Sequence, residues 1–383
     1  MLVFAIVCSL IIPEITNGVN TRSYWPTEDW RTSNPSKQNM MKLVLNPVDN
    51  YIENWNDEHH FSNMDSIIVV KNGFIVKEAY FGLYEQNDIH AIWSITKSVT
   101  SILIGIAIDE GYIEGVEENV LEFFSDREIA NVDELKESIR LEHLLMMSTG
   151  FDYPGDDAIW QGWMSASDQV QYILDLPMRF RPGFYFNYDT GGSHLLSAIL
   201  ELATNKSTLD FAKEKLFDPL GITHYQWQHD KQGTYFGGHG LYLEPRDIAK
   251  LGYLYINNGT WDNNQIVSSD WVNYTTTTKW LLSDHWGYSH QWWTHPIYNA
   301  FAAAGRYGQR IIAIPEKDLV VTFTASLSDA DPEPYFYILE QYILDAIGTE
   351  EIFLGTLLFI PFTLMAITVT TINTIKINRR KRN

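Results

Sequence analysis

Cysteine is almost absent from the chain, which has 383 residues and a single cysteine, Cys8. A disulfide framework is therefore excluded, and so are a cysteine-based zinc site and a cysteine nucleophile in the main body. Basic residues are also scarce, because 27 Lys and Arg stand against 48 Asp and Glu and give a formal net charge of −21. An acidic body of this kind argues against nucleic acid and against an anionic lipid surface as its partner.

Several familiar catalytic motifs are missing as well. The sequence has no His-Glu-x-x-His zinc helix, no Gly-x-Ser-x-Gly nucleophile elbow and no Gly-Lys pair that could form a phosphate loop. We therefore expect neither a metal nor another cofactor. Hydrophobic residues make up 45% of the chain and charged residues 20%, which is typical of a globular protein with a sizeable core.

The two ends of the chain carry apolar segments that point to a membrane. The first is short and leads into a polar stretch, which indicates a signal peptide over residues 1–18. Residues 352–375 contain no charged side chain and predict a transmembrane helix, and a basic tail follows over residues 376–383. Positive charge after the span predicts a single-pass protein of the cell membrane. The tail would lie in the cytoplasm, the bilayer would be a partner, and the body, residues 24–348, would lie outside.

Local patterns predict the first elements of this body. Asn72 and Gly73 separate two runs rich in β-branched residues, which is a strong signal for a β-hairpin. Residues 95–110 carry apolar side chains at helical spacing and are followed by a glycine, as a helix of this length should be. Helical patterns then dominate over residues 116–258.

Strand patterns return late in the chain, over residues 309–314 and 319–325, before a closing helix over residues 334–346. The early and late strands can therefore form one antiparallel sheet flanked by helices, with the mainly helical part inserted between them. The predicted fold class is α+β, with the transmembrane helix added at the C-terminus. A cleft where the two parts meet is the expected place for an active site.

Ser94-Ile95-Thr96-Lys97 is the one constellation in this body that suggests a nucleophile. Positions i and i+3 share a face of a helix, so the serine hydroxyl and the lysine amine can meet. Serine becomes a nucleophile when a base takes its proton, and a buried lysine can be that base while it is kept neutral. The motif alone is weak, because Ser94 could serve only as the N-cap of its helix.

The context of this motif resembles one known superfamily, the serine β-lactamases and penicillin-binding proteins. Residues 93–111 resemble its nucleophile helix, and residues 144–151 resemble the Leu-Leu-x-x-(Ser/Thr)-Ser-Gly segment of its class C-like branch. Residues 182–191 resemble the Tyr-x-Asn motif, with Tyr188 in place and Thr190 where asparagine is usual.

Two further segments follow in the expected order. Residues 237–247 resemble the glycine-rich turn and helix of the same branch, and residues 303–309 stand where the Lys-Thr-Gly strand would be. The whole pattern, over residues 24–346, is most similar to 6-aminohexanoate-dimer hydrolase-like serine hydrolases. The resemblance implies a β-lactamase/transpeptidase-like fold. The lysine of Lys-Thr-Gly is replaced by Ala303, which counts against an enzyme that must hold a penicillin carboxylate.

The resemblance also implies roles for individual residues. Ser94 would be the nucleophile, with Lys97 and Tyr188 as its proton acceptor and relay, and the oxyanion would be held by the backbone N–H groups of Ser94 and Arg306. Four residues are expected to contact substrate: Thr190, Gly305, Tyr307 and Gly308. Aromatic side chains near the motifs are candidates for an apolar substrate wall or for the core: Tyr153, Trp160, Trp163 and Tyr307.

The leading interpretation is a membrane-anchored serine hydrolase that cleaves small amides or esters through an acyl-enzyme on Ser94. One alternative is a penicillin-recognising enzyme, either a β-lactamase or a D-Ala carboxypeptidase. Another is an inactive surface module that uses the same fold for binding. The intact Ser94, Lys97 and Tyr188 count against the inactive module.

Overall fold

The computed structural model, which describes residue 22 and residues 24–59, 62–328 and 333–347, is built around an eight-stranded antiparallel sheet. The strands of the chain are β1 (Asn63–Lys71), β2 (Phe74–Tyr80), β3 (His90–Ala91), β4 (Tyr225–Trp227), β5 (Leu241–Leu243), β6 (Thr260–Trp261), β7 (Asn264–Gln265), β8 (Trp280–Leu281), β9 (Gly287–Ser289), β10 (Trp292–His295), β11 (Ala300–Gly305), β12 (Gln309–Ile314) and β13 (Leu319–Ser326).

The large sheet has the order β2-β1-β13-β12-β11-β10-β9-β8, so the N-terminal hairpin lies beside the last strand of the chain. In the pairing of β1 with β13, Ile68 lies opposite Thr322 and Val70 opposite Val320. The predicted hairpin turn is present, with Asn72 and Gly73 both at positive φ. The expectation that early and late strands share one antiparallel sheet is therefore confirmed.

Helices pack on both faces of this sheet and against one another. They are α1 (Lys42–Leu45), α2 (Val48–Glu58), α3 (Ile95–Asp109), α4 (Val120–Phe123), α5 (Leu141–Leu145), α6 (Asp156–Ser165), α7 (Gln169–Leu174), α8 (Thr190–Thr204), α9 (Thr208–Ala212), α10 (Asp218–Leu220), α11 (Pro245–Ile256), α12 (Ser269–Thr276), α13 (Tyr335–Ile338) and α14 (Asp345–Ile347). A π-helical turn over Leu339–Leu344 joins α13 to α14, so the predicted closing helix is present.

The sheet is buried on both faces because successive side chains of a strand point in opposite directions. Along β1, Ile68 and Val70 face the larger core, which contains α3, α8 and α11. Ile67 and Val69 face a second core, which is closed by α2 and by the helix at residues 335–347. Every residue from Ile95 to Ala107 in α3 is buried, so this helix passes through the centre of the larger core.

A small sheet connects the start of α3 to the glycine-rich segment before α11. Strand β5 pairs with both β3 and β4, and the backbone N–H of Ile92 donates to the carbonyl of Leu241 at 2.9 Å. This pairing fixes the chain just before Ser94 against the chain just after Gly238. The two segments that the sequence separates by about 140 residues are thereby held side by side.

The predicted segments at the two ends lie outside the described residues: the signal peptide over 1–18, the transmembrane helix over 352–375 and the basic tail over 376–383. Within the described part of the chain, no helix is long and apolar enough to cross a membrane. We therefore correct the fold class to the α+β body alone. The expected single-pass placement in the cell membrane, and the bilayer as a partner, are withdrawn.

Candidate active site

A cleft of about 810 Å³ opens where the helical part meets the end of β11 in the large sheet. Its walls include the N-terminus of α3, the first turns of α6, the start of α8, the Gly238-His239 segment and the ends of β10 and β11. Ser94, Tyr188, Thr190, Gly305, Arg306 and Tyr307 all line this cleft. The structure thus brings together residues that are up to 213 positions apart in the sequence.

Ser94 occupies the N-cap position of α3, but its side chain makes no capping hydrogen bond. Its Oγ instead lies 3.1 Å from Nζ of Lys97, one helical turn further on. The preceding residue, Trp93, has a φ of 48°, a conformation that costs energy in a residue with a side chain and that often occurs at functional sites. The alternative in which Ser94 is only a helix cap is therefore not supported.

Lys97 is only 1% exposed, and its Nζ has three polar neighbours. The carbonyl oxygen of Gly238 accepts a hydrogen bond from it at 2.9 Å. The hydroxyl of Thr190 accepts another at 2.9 Å, because Thr190 donates its own hydrogen to Oδ2 of Asp156 at 2.6 Å. In a neutral amine these two bonds use both N–H groups. The nitrogen lone pair is then left for the Ser94 hydroxyl.

Asp156 is the functional residue that the sequence analysis missed. It begins α6, and its carboxylate accepts hydrogen bonds from the Thr190 hydroxyl, from the Thr190 backbone N–H and from the Tyr153 hydroxyl. Asp156 therefore fixes Thr190 as an acceptor toward Lys97. The adjacent acidic pair of Asp156 and Asp157, directly after Gly155, was the available signal, but no local pattern connects it to Lys97.

Thr190, which was expected to contact substrate, lines the cleft, but its hydroxyl is already bonded on both sides. Its side chain is buried at the first position of α8, between Lys97 and Asp156. The preceding residue, Asp189, is fully buried and caps α8 by accepting the N–H of Gly192 at 2.8 Å. Burial raises the pKa of Asp189 to about 7, so its carboxyl group is poised to lose its charge.

Tyr188 lies at the mouth of the cleft with its ring over Lys97. The distance from Lys97 Nζ to the ring centroid is 4.9 Å, and the ring stacks on Trp293 at 6.2 Å. Among the described residues, no hydrogen bond joins the Tyr188 hydroxyl to Lys97. The structure therefore places Tyr188 beside Lys97, while the hydrogen bonds that orient Lys97 come from Thr190 and Gly238.

The end of β11 approaches Ser94 closely because of Gly305. A Cβ at this position would lie 2.4 Å from the carbonyl oxygen of Ile92, so any side chain would push the strand away. Tyr307 lines the cleft with a φ of 58° and packs edge-on against Trp93 at 5.0 Å. Gly308 is buried against the Tyr335 hydroxyl and does not line the cleft.

The residues that replace the lysine and threonine of Lys-Thr-Gly bring no cation, and the two arginines that line the cleft, Arg306 and Arg310, are both ion-paired with acids. Ala303 is buried in the larger core, and Ala304 lines the cleft with a methyl group. The side chain of Arg306 is exposed and forms an ion pair with Asp157, from Nη1 to Oδ1, at 3.2 Å. This guanidinium therefore lies at the rim of the cleft beside an acidic partner.

Aromatic side chains form much of the remaining wall. Trp160 and Tyr307 line the cleft as the sequence suggested, whereas Tyr153 and Trp163 belong to the larger core. His239 also lines the cleft beside Lys97. Burial, together with the nearby Lys97, lowers the pKa of His239 to about 3, so the imidazole is neutral at ordinary pH.

Comparison with known proteins agrees with this geometry. The family model described as Beta-lactamase matches residues 48–342, which is more than three quarters of the chain. The chain belongs to the beta-lactamase family. The resemblance inferred from the motifs is thereby confirmed, and the family together with its hydrolase relatives makes this member a serine hydrolase.

Relatives of known description lie within the same family. The 6-aminohexanoate-dimer hydrolase of Paenarthrobacter ureafaciens is 22% identical over 73% of this chain and 77% of its own length. The lovastatin esterase of Penicillium rubens is 25% identical over 44% of this chain and 55% of its own length. Penicillin-binding protein 4* of Bacillus subtilis is 27% identical over 61% of this chain and 52% of its own length.

Solved structures confirm the β-lactamase/transpeptidase-like fold of the body. A Bacillus anthracis protein provisionally described as a 6-aminohexanoate-dimer hydrolase superposes with a TM-score of 0.68 at 22% identity, covering 78% of this chain and 82% of that one. The octameric penicillin-binding protein homologue of Pyrococcus abyssi gives a TM-score of 0.64 at 22% identity, covering 78% and 76%.

Proposed function

We propose that this hydrolase cleaves small amides or esters through an acyl-enzyme on Ser94. The observation that carries the proposal is the hydrogen-bond pattern of Lys97. Its contacts to Thr190 and Gly238 use the N–H groups of the neutral amine, so its lone pair can face the Ser94 hydroxyl. A lysine held in this way can take the proton of the serine as the serine attacks a carbonyl carbon.

Acylation then follows from the proposed roles. Oγ of Ser94 bonds to the carbonyl carbon and its proton passes to Nζ of Lys97. The oxyanion is held by the backbone N–H groups of Ser94 and Arg306, at the N-terminus of α3 and the end of β11. Tyr188 passes the proton from Lys97 to the leaving nitrogen or oxygen, and the bond from the carbonyl carbon to that atom breaks.

Deacylation reverses the relay. Water attacks the acyl carbon, its proton passes to Lys97, and the bond from that carbon to Oγ breaks as Ser94 regains a proton. The proton that departs with the leaving group is replaced by a proton from water, so the three residues end the cycle as they began it and only substrate and water are consumed. The neutral His239 adds no second positive charge beside Lys97.

The cleft supports a small substrate that needs no carboxylate anchor. It combines aromatic walls from Trp93, Trp160 and Trp293 with a strand whose Ala303 and Ala304 offer no cation. Two relatives are named for the hydrolysis of 6-aminohexanoate dimers and of lovastatin, and these names support cleavage of amides or esters. A penicillin-recognising enzyme is less favoured because the lysine that would bind the penicillin carboxylate is missing. An inactive binding module is less favoured because Ser94 and Lys97 are in contact.

The test is intact-mass spectrometry of the protein after mixing with a fluorophosphonate, an activated short-chain ester or a penicillin. We expect one adduct from the first two reagents, none from penicillin, and none in a Ser94→Ala variant. Ser101→Ala is the matched control, because Ser101 lies in the same helix and its buried hydroxyl has no partner among the described residues. Absence of any adduct in folded protein would favour the binding module, and a penicilloyl adduct would favour the penicillin-recognising enzyme.

A further inference from the structure

A second cavity lies behind the catalytic cleft and has no part in the proposed reaction. Its volume is about 510 Å³, and it shares Trp93 and Tyr307 with the catalytic cleft, so these two packed rings stand between the two spaces. Its floor contains Asp65 of β1 and its rim contains Tyr84. None of its lining residues in the described part of the chain is a lysine or an arginine.

A bulge in β1 places Asp65 in this cavity. Met64 pairs with Ala325 and Ser66 pairs with Thr324, so Asp65 is the extra residue between them. Bulges of this kind redirect a side chain away from the regular alternation of the strand. The Asp65 side chain is only 3% exposed, and the Ser326 hydroxyl lies 3.0 Å from Oδ2 and 3.2 Å from Oδ1.

Among the described residues, Asp65 has no lysine or arginine partner. A basic group near it is His90, whose Nδ1 lies 3.9 Å from Oδ2 of Asp65. Burial lowers the pKa of His90 to about 4, so this ring is neutral, and its Nε2 is buried without a hydrogen-bond partner. Burial also raises the pKa of Asp65 to about 7. A buried carboxyl group without a counter-ion is costly, and a bound cation would relieve that cost.

Aromatic rings surround this carboxyl group. Tyr84, Trp93, Tyr242 and Tyr307 line the cavity with it, and the Tyr84 ring lies 4.4 Å from the ring of His90. The faces of aromatic rings attract cations, most strongly where water is excluded. A carboxylate that shares a cavity with several aromatic rings, with no lysine or arginine among the described lining residues, is suited to an organic cation. Among the described residues that line the cavity, Asp65 supplies the one carboxylate that a metal ion could use.

We propose that this second cavity, defined by Asp65, Tyr84, Tyr242 and the Trp93–Tyr307 wall, binds a small organic ammonium ion. The ammonium group pairs with the carboxylate of Asp65, and its methyl or methylene groups contact the rings. This binding does not depend on the proposed hydrolysis, and it requires no chemical step.

The test is isothermal titration calorimetry of the full-length protein with choline, whose quaternary charge does not change with pH. Its neutral isostere, 3,3-dimethylbutan-1-ol, is the ligand control. We expect saturable binding of choline, none of the alcohol, and at least about tenfold weaker binding in Asp65→Asn, because a desolvated charge pair is removed. Asp157→Asn, which removes an acid at the catalytic cleft, should bind choline as the wild type does.

Two further measurements guard against a variant that fails to fold. Tyr84 is 39% exposed at the rim, so Tyr84→Ser should fold and should weaken choline binding several-fold. In the wild type, choline should bind at least roughly tenfold more weakly at about pH 5.5 than at about pH 8.5, as Asp65 gains its proton.

We attribute the pH dependence of choline binding to Asp65, because the histidine and tyrosines that face it do not change charge over this pH range. His90, Tyr84 and Tyr335 face it, and Asp88 acts on His90. Burial holds the pKa of His90 at about 4 and raises the pKa values of both tyrosines, so none of these three titrates in this range. The proposal would be overturned if choline did not bind, or if the alcohol bound as choline does. It would also be overturned if Asp157→Asn, and not Asp65→Asn, removed choline binding.

Discussion

Replacing Thr190 by valine tests whether this residue acts through Lys97 or through substrate. Valine keeps the shape of the side chain and removes the hydroxyl that links Lys97 Nζ, at 2.9 Å, to Asp156 Oδ2, at 2.6 Å. Lys97 would then keep the carbonyl of Gly238 and the hydroxyl of Ser94 as its polar neighbours. A free N–H group would compete for Ser94, and the lone pair would no longer be directed at the nucleophile.

The expected loss follows from the hydrogen bond that is removed. Lys97 becomes positively charged as it takes the proton of Ser94, and a hydrogen bond to a charged group contributes about 1.5–3 kcal/mol. Each ~1.4 kcal/mol corresponds to a factor of ten in rate. Because the Thr190 bond orients the base and does not supply the proton, kcat should fall roughly 10- to 100-fold. KM should change little, since Thr190 is 2% exposed and its hydroxyl is already occupied on both sides.

Steady-state kinetics on an activated ester separates these effects. Thr190→Ser should recover most of kcat, because it restores an acceptor for Lys97. Thr275→Val is the matched control: Thr275 is also fully buried, but its hydroxyl bonds the backbone of its own helix, α12, away from the cleft. A rise in KM with an unchanged kcat would refute the reasoning and would return Thr190 to the substrate-binding role that the sequence suggested.

Three further predictions follow from the same geometry. Gly238→Ala would place a Cβ 2.7 Å from Cγ2 of Thr190 and 3.3 Å from Nζ of Lys97, so kcat should fall by about tenfold or more. Gly115→Ala is the control and should leave kcat unchanged, because the space around Gly115 is open. Arg306→Ala should change kcat by less than about threefold, because only its backbone is assigned to the oxyanion and its exposed ion pair contributes little; a large loss would assign the side chain to the reaction. Burial raises the pKa of Asp189 from 3.8 to about 7, so the wild type should lose stability as pH rises between these values. The difference in Tm between Asp189→Asn and the wild type should therefore shift in favour of the variant as pH rises over that range, and level off above it. A difference in Tm that does not change with pH would contradict this prediction.

Local patterns predicted the parts of the fold that depend on local chemistry. The Asn72-Gly73 turn requires positive φ at two adjacent residues, and the sequence supplies residues that tolerate it. Helix α3 was readable because apolar side chains recur along it at helical spacing and a glycine follows it. The Ser94–Lys97 contact follows from the spacing of helix positions alone, so it too could be predicted.

The rest of the site depends on contacts that spacing does not encode. Asp156 and Lys97 are 59 positions apart in the sequence, and Thr190 lies 34 positions beyond Asp156. The three meet because α3, α6 and α8 begin beside one another, which no local pattern specifies. The same limit explains why Tyr153 and Trp163 could not be distinguished from Trp160 and Tyr307: all four are large aromatic residues, and only the packing of α6 decides which side chains reach the cleft.

The Thr190–Asp156 pair also explains how the site functions without the usual asparagine. An asparagine at this position would offer its oxygen to Lys97 and keep two N–H donors for other partners. A threonine hydroxyl has a single hydrogen, and Asp156 takes it at 2.6 Å, so Thr190 can only accept from Lys97 and has no donor left for a substrate. The orientation of the base is therefore preserved while a donor toward the acyl side of the substrate is lost. Substrates whose acyl group needs such a donor, as a peptide-like side chain does, should be poor ones, and acyl groups held by the aromatic walls should be good ones.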